Sequence, residues 1–145
     1  MSQEAPRGEE LSDVVIRQYR PEDRTELLSL LRESWPNYDP GIYRAKDYLI
    51  AENKGRIVGT VFCREVHTDM HLFDLIASES FRRQGIAAAL IKAAEKRAAI
   101  QGLEHVRITA DSDELVGYYE RLGFKLSDAE NRIMVKPIAC LSPQI

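Results

Sequence analysis

The chain has 145 residues, 44% of them apolar, enough to bury one core and too few for a second. Its 20 basic and 23 acidic residues give a formal net charge of −3, and no basic run is longer than Arg82-Arg83, so nucleic acid is not expected as a partner. The longest apolar stretches, Val14 to Ile16 and Ile86 to Ile91, fall far short of the roughly 20 residues of a bilayer span, which argues against a membrane helix or signal peptide. Cys63 and Cys140 stand in unlike contexts, so no disulfide is expected and the compartment reads as reducing and cytoplasmic.

Residues 1–13 are polar and acidic and read as a solvated, disordered tail, with one α/β domain over 14–137 and a short tail over 138–145. Val14 to Tyr19 reads as a first strand. Pro21, Glu22 and Asp23 favour a helix N-terminus, and Leu27, Leu28, Leu31 and Trp35 recur at helical spacing up to Pro36. After an aromatic loop with Tyr38 and Tyr43, Tyr48–Glu52 and Arg56–Val66 read as a hairpin around Asn53-Lys54-Gly55. His71–Ala77 is a fourth strand. Gly85–Gln101 is an Ala-rich helix with Ile86, Leu90, Ala93 and Ile100 on one face, stopped by Gly102. Val106–Ala110 is a fifth strand, and Asp111 and Glu114 form a capping box for a helix with the stripe Leu115, Tyr118, Tyr119, Leu122. Phe124–Leu126 and Arg132–Lys136 close the chain as a hairpin. The order β-α-β-β-β-α-β-α-β-β predicts a mixed central sheet flanked by helices on both faces.

The segment Ser80-Phe81-Arg82-Arg83-Gln84-Gly85-Ile86-Ala87-Ala88 joins the fourth strand to the following helix. A helix N-terminus presents unpaired N–H groups and about half a positive charge, which suits an anion. Gly85 and Ala87 would let the backbone approach a pyrophosphate, because a bulky side chain would hold the phosphate oxygens away from the amides. A packing role for the same small residues is equally compatible with the sequence. The segment is neither the ATP/GTP-binding P-loop nor the dinucleotide fingerprint, which leaves coenzyme A as the natural pyrophosphate ligand.

Arg82-Arg83-Gln84-Gly85-Ile86-Ala87 resembles the acyl-CoA signature [QR]-x-x-G-x-[GA] of the GNAT superfamily of N-acetyltransferases. Ile16 to Asp23 and Tyr118 to Phe124 resemble further segments of that family, in its order and at about its spacing. The resemblance implies acetyl-CoA as co-substrate, no metal, and a pantetheine arm bonded to the backbones of Leu75 and Ala77, with Ala77 N–H polarising the thioester carbonyl. It implies that Tyr119 protonates the departing thiolate; filling the core is the other reading of a residue in an apolar stripe. Ser112 stands where relatives commonly carry an Asn that touches the CoA arm, and a Ser there also suits a helix cap.

A lysine-like amine, at pKa about 10.4, costs roughly 4–5 kcal/mol to present uncharged at pH 7, so a base is needed. The position where some relatives carry a strand-four Glu is His71 here, which counting in twos along the strand puts on one face with Phe73, Leu75 and Ala77. An edge position in the preceding turn is the plainer reading of His71. Asp74, on the opposite face, and Glu52, Glu65 and Asp69 are reserve bases, each expected to be solvated or paired rather than catalytic. Trp35, Tyr38 and Tyr43 fall in the region that shapes the acceptor pocket in relatives. The function expected is transfer of an acetyl group to a primary amine by direct attack in a ternary complex; a non-catalytic acyl-CoA sensor or interaction module is the alternative. The acceptor, the acyl-chain preference and whether the chain forms a homodimer stay open.

Overall fold

The computed structural model describes residues 13–38, 47–81 and 85–138. Seven strands follow the order β1-β2-β3-β4-β5-β7-β6 in one mixed sheet. They are β1 (Val14–Gln18), β2 (Tyr48–Asn53), β3 (Arg56–Val66), β4 (Asp69–Ala77), β5 (His105–Thr109), β6 (Lys125–Asp128) and β7 (Ile133–Pro137), with helices α1 (Arg24–Ser34), α2 (Ile86–Ile100) and α3 (Asp113–Arg121). The expected element order holds among the described residues, with ends displaced by one or two residues. The chain divides into two compact units, one built from residues up to Phe62 together with Asp74–Ile91, the other from Cys63–Phe73 and the chain from Lys92 on.

In the first unit, β1, β2 and the start of β3 form an antiparallel meander. The two-residue loop between β2 and β3 places both Lys54 and Gly55 at positive φ (52° and 84°), the conformation of a type I′ turn, whose twist matches the flanking strands. The α1 helix buries Leu27, Leu30 and Leu31 against Tyr48, Ile50, Ile57, Phe62 and Ile76. Leu30 takes the place expected for Leu28, which is only half-buried. Burying each such side chain stabilises by roughly 1.5–3 kcal/mol. The helix entrance is fixed by Asp23, which is buried, accepts from the Arg20 N–H at 2.7 Å and takes both terminal nitrogens of Arg17 at 2.8 and 2.9 Å. The carboxylate expected only to favour a helix dipole therefore also ties β1 to α1.

In the second unit, β4 and β5 pair in parallel from Asp69↔His105 to Leu72↔Ile108, and β5 pairs antiparallel with β7, which pairs with β6. Met70, Leu72, Val106, Ile108 and Met134 are buried. Ser112, rather than Asp111, is the N-cap of α3: its Oγ accepts from Leu115 N–H at 3.2 Å. The buried positions of α2 are Ile86, Leu90, Ile91, Ala94 and Ala98; Ala93 is half-buried and Ile100, expected on this face, is 74% exposed in the last turn. Cys63 is buried and free, and Cys140 lies outside the described residues.

Two glycines should respond oppositely to alanine. A Cβ on Gly59 would stand 2.7 Å from Ile86 Cγ2 and 3.1 Å from the Ile76 carbonyl oxygen, so Gly59→Ala is expected to destabilise by about 1–3 kcal/mol through overpacking. Gly117, inside α3, has no neighbour closer than Arg121 Nη1 at 3.8 Å, so Gly117→Ala should stabilise by about 0.5–1 kcal/mol. Urea unfolding midpoints of the two variants against the parent check both signs.

Candidate active site

The middle of β4 departs from regular strand geometry. Its ladder with β5 ends at Leu72↔Ile108, and two residues later Asp74 adopts φ 56°. A non-glycine residue in the left-handed region is uncommon, although Asp and Asn tolerate it better than most. There the Asp74 carboxyl meets two phenols: its Oδ2 accepts from Tyr38 at 2.9 Å and from Tyr48 at 3.1 Å, and the two phenol oxygens also contact one another. Tyr48 is 1% exposed and packs on Phe62 with ring centroids 5.0 Å apart, while Tyr38 lies 6.4 Å from the Trp35 ring. Tyr38, expected near an acceptor, therefore meets Asp74, and Trp35, expected there too, lies beside Tyr38. Tyr43 lies outside the described residues.

Asp74 is thus half-buried, and among the described residues its carboxyl is bonded to phenols rather than paired with a cation. Burial pushes its carboxyl above the usual carboxylate range, and the hydrogen bonds from Tyr38 and Tyr48 pull it partly back. Burial first, then the bond to Tyr38 and the charge of Asp74, raises the Tyr48 phenol, which stays protonated. Counting in twos assumes an extended backbone at every step, and the left-handed Asp74 falls between His71 and Leu75, although Met70, Leu72 and Ile76 are buried and His71, Phe73, Leu75 and Ala77 are not.

His71 is half-buried, stands opposite Arg107 in the β4–β5 register and has its ring 6.2 Å from that of Phe73. Burial, then the charge of Arg107, hold its imidazole below the ordinary value, so it is neutral at pH 7. Two reserve carboxylates are ion-paired. Glu52 takes Arg17 Nε at 2.6 Å, and Asp69 has His105 Nδ1 and Arg107 Nη2 each at 3.1 Å. Glu65 is exposed.

At the far end of β4, Leu75 and Ala77 are half-buried, and Ser78 N–H donates to the Val58 carbonyl at 2.7 Å. Arg82, Arg83 and Gln84 lie outside the described residues. Gly85 follows at φ 86°, a left-handed conformation that glycine adopts without cost, and its carbonyl accepts from Ala89 N–H at 2.9 Å to start α2. Ile86 is buried against the protein while Ala87 and Ala88 are half-buried, and no acidic residue stands in the first turn. A groove of about 900 Å³ is lined by Glu26, Glu33, Arg56 and Glu79 among others, and Ser78–Phe81 at its edge lead towards this turn. Three carboxylates against one guanidinium make that groove a poor seat for phosphates.

In the second unit, Tyr119 is 5% exposed, with ring centroids 5.5 Å from Tyr118 and 6.0 Å from Phe124. Burial, with smaller contributions from Asp111 and Tyr118, pushes its phenol up to about 12. The residue is packed like core and protonated like a donor. Lys136 holds the end of its helix, donating to the Leu122 carbonyl at 2.8 Å and pairing with Glu95 at 3.1 Å.

The environment of Asp74 has a measurable consequence for stability. A carboxyl whose folded pKa is raised contributes stability that is full below its unfolded value, about 3.9, and lost as pH rises through the folded value. Asp74→Asn stays neutral, keeps an acceptor for the phenols and tolerates the left-handed backbone. The variant should therefore gain on the parent as pH rises from 4 to 8, measured as the difference in urea midpoints. A difference independent of pH would show an unperturbed carboxyl.

Residues 21–134 match the family model described as acetyltransferase (GNAT) domain. The fold is similar to that of N-acetylglutamate synthase from Neisseria gonorrhoeae, complexed with coenzyme A and N-acetyl-glutamate, at TM-score 0.76 and 15% identity, over 87% of this chain and 35% of that one. The chain thus spans about a third of that protein's length. It is similar as well to a GNAT family N-acetyltransferase from Escherichia coli in complex with CoA (TM-score 0.71, 20% identity, 88% of this chain and 82% of that one). A third likeness is to the ribosomal-protein-S18-alanine N-acetyltransferase of Escherichia coli (TM-score 0.73, 16% identity, 91% and 98%). These likenesses are of fold, and the family match covers most of the chain: the protein belongs to the GNAT acetyltransferase family.

Proposed function

We propose that the protein transfers an acetyl group from acetyl-CoA to a primary amine by direct attack in a ternary complex. The observation that carries this reading is Gly85, left-handed at the head of a 15-residue helix whose next residues are small, in a chain of the GNAT family. The pyrophosphate of CoA is assigned to the turn from Arg82 to Ala88, where helix N–H groups and basic side chains favour an anion. The backbones of Leu75 and Ala77 are assigned to the pantetheine arm, Ala77 N–H to the thioester oxygen, and Ser112 to the edge of the cofactor site in addition to its cap. Tyr119 is assigned the proton that the thiolate takes up on leaving. Its elevated pKa keeps it protonated at neutral pH, as a donor must be. Trp35, Tyr38 and Tyr43 are assigned to the acceptor side, and His71 occupies the position at which some relatives carry a base. A cytoplasmic location goes with acetyl-CoA as co-substrate.

Thiol release from acetyl-CoA with benzylamine, spermidine, lysine and an alanyl peptide tests the reading. Release with at least one amine is expected, and acetyl-CoA binding without release from any of them would instead identify an acyl-CoA-binding module. Gly85→Glu places a carboxylate at the phosphate site and should abolish acetyl-CoA binding by calorimetry while the variant stays folded; unchanged affinity would remove the pyrophosphate from this turn. Tyr119→Phe should leave acetyl-CoA affinity nearly intact and lower turnover about ten- to a thousandfold. Unchanged turnover would reduce the phenol to packing.

A further inference from the structure

We infer that the sheet of the second unit carries an anion site of its own, in which Arg107 receives a small carboxylate ligand beside His71. The inference does not depend on acetyl transfer, and every residue it uses belongs to the second unit.

The register places the site. His71 on β4 pairs with Arg107 on β5, which pairs with Val135 on β7, so the three side chains stand on one face of the sheet. The alternate residues Met70, Leu72, Val106, Ile108 and Met134 are buried on the other face, whereas His71, Arg107 and Val135 are half-buried. Phe73, two residues along β4 from His71, is 36% exposed, with its ring 6.2 Å from the imidazole.

Arg107 is anchored with donors to spare. Its Nη2 bonds to Asp69 Oδ2 at 3.1 Å, and among the described residues Nε and Nη1 have no partner. Asp69 is a positioning residue here: it is itself tied to His105 Nδ1 at 3.1 Å, so it fixes the guanidinium on the open face. The remaining N–H groups can make charge-assisted bonds to a carboxylate, and the neutral His71 has one N–H to add. The Phe73 ring offers apolar surface to the body of the ligand.

The charges select the ligand. Burial first, then the charges of Arg107, of Arg64 at the end of β3 and of His67 in the loop before β4, hold the His71 imidazole down, and Asp69 opposes them. Arg64 is exposed and without an ion pair among the described residues. Two guanidiniums against one carboxylate leave one positive charge in excess. A second carboxylate balances it, whereas a phosphate, at about −1.5 to −2, overshoots. Lys125, opposite Val135 on β6, lies two strands from Arg107, about 10 Å away, where salt screens an exposed charge.

Benzoate is the probe, added at constant ionic strength and followed by NMR of the His71 ring and the backbone amides. Saturable shifts centred on Arg64, His71, Phe73 and Arg107 are expected. The titration midpoint of His71 should rise on saturation, because a bound anion offsets the charges that depress it, a response that a merely structural Arg107 would not give. Arg107→Gln should weaken benzoate binding about 10- to 100-fold, and Arg64→Gln by a smaller factor. Inorganic phosphate should bind more weakly than benzoate; tighter phosphate overturns the carboxylate assignment. Shifts that never saturate, that centre elsewhere, or that persist unchanged in Arg107→Gln overturn the inference. Should Arg107→Gln fail to fold, undiminished binding in Arg64→Gln together with an unmoved His71 midpoint overturns it as well. Thiol release from acetyl-CoA reads the acetyl-transfer proposal separately, so the two can fail independently.

Discussion

β4 hydrogen-bonds in parallel to β5 through only four residue pairs, and much else depends on where that ladder stops. Up to Leu72 the strand is ordinary core, with Met70 and Leu72 buried and Asp69 tied to His105 and Arg107. Beyond it come the left-handed Asp74, the half-buried Leu75 and Ala77, and the turn that starts α2 at Gly85. One strand thus carries a structural half and a half from which a site can be built, and the change occurs within two residues.

The charges follow the same division. Arg17 satisfies both Asp23 and Glu52, and Arg107 and His105 share Asp69, so these carboxylates spend their charge on joining elements. Asp23 and Asp69 are held below the usual carboxylate range by those partners, and each contributes stability above its unfolded pKa that is lost as pH falls through the folded value. Asp74 has the opposite sign: burial raises it, and two neutral donors replace a cation. Among the described residues its partners are phenols rather than a cation, so at neutral pH burial of this carboxylate costs stability.

The helices serve their surroundings in different ways. α1 covers the first unit with Leu27, Leu30 and Leu31 and brings in Trp35 and Tyr38 at its end, so the packing that stabilises β2 and β3 also delivers a phenol to Asp74. α2 begins at a glycine whose left-handed backbone turns the chain from strand to helix. α3 is held at both ends, by the Ser112 cap and by Lys136 on the Leu122 carbonyl, which fixes the rotation at which Tyr119 is presented.

Element order, the hairpin at Lys54-Gly55, the buried stripe of α1 in outline and the glycine turn before α2 are all legible in the amino-acid sequence. They rest on local periodicity, turn chemistry and short motifs, each of which acts within a few residues. The family resemblance is legible too, because the signature around Gly85 is contiguous. Sequence reasoning misplaced Leu28, Ile100 and the capping box at Asp111, while the second reading of Ser112 as a cap holds; one residue of helical phase or the end of a helix decides such cases. The surroundings of Asp74 were beyond its reach for a different reason. Counting in twos presumes an extended backbone, whereas the folded chain has φ 56° at that residue and brings Tyr38 and Tyr48, 36 and 26 positions away along the chain, onto one carboxylate oxygen. Local pattern fixes which elements form; the meeting of groups distant in sequence is decided by packing, and so was this one.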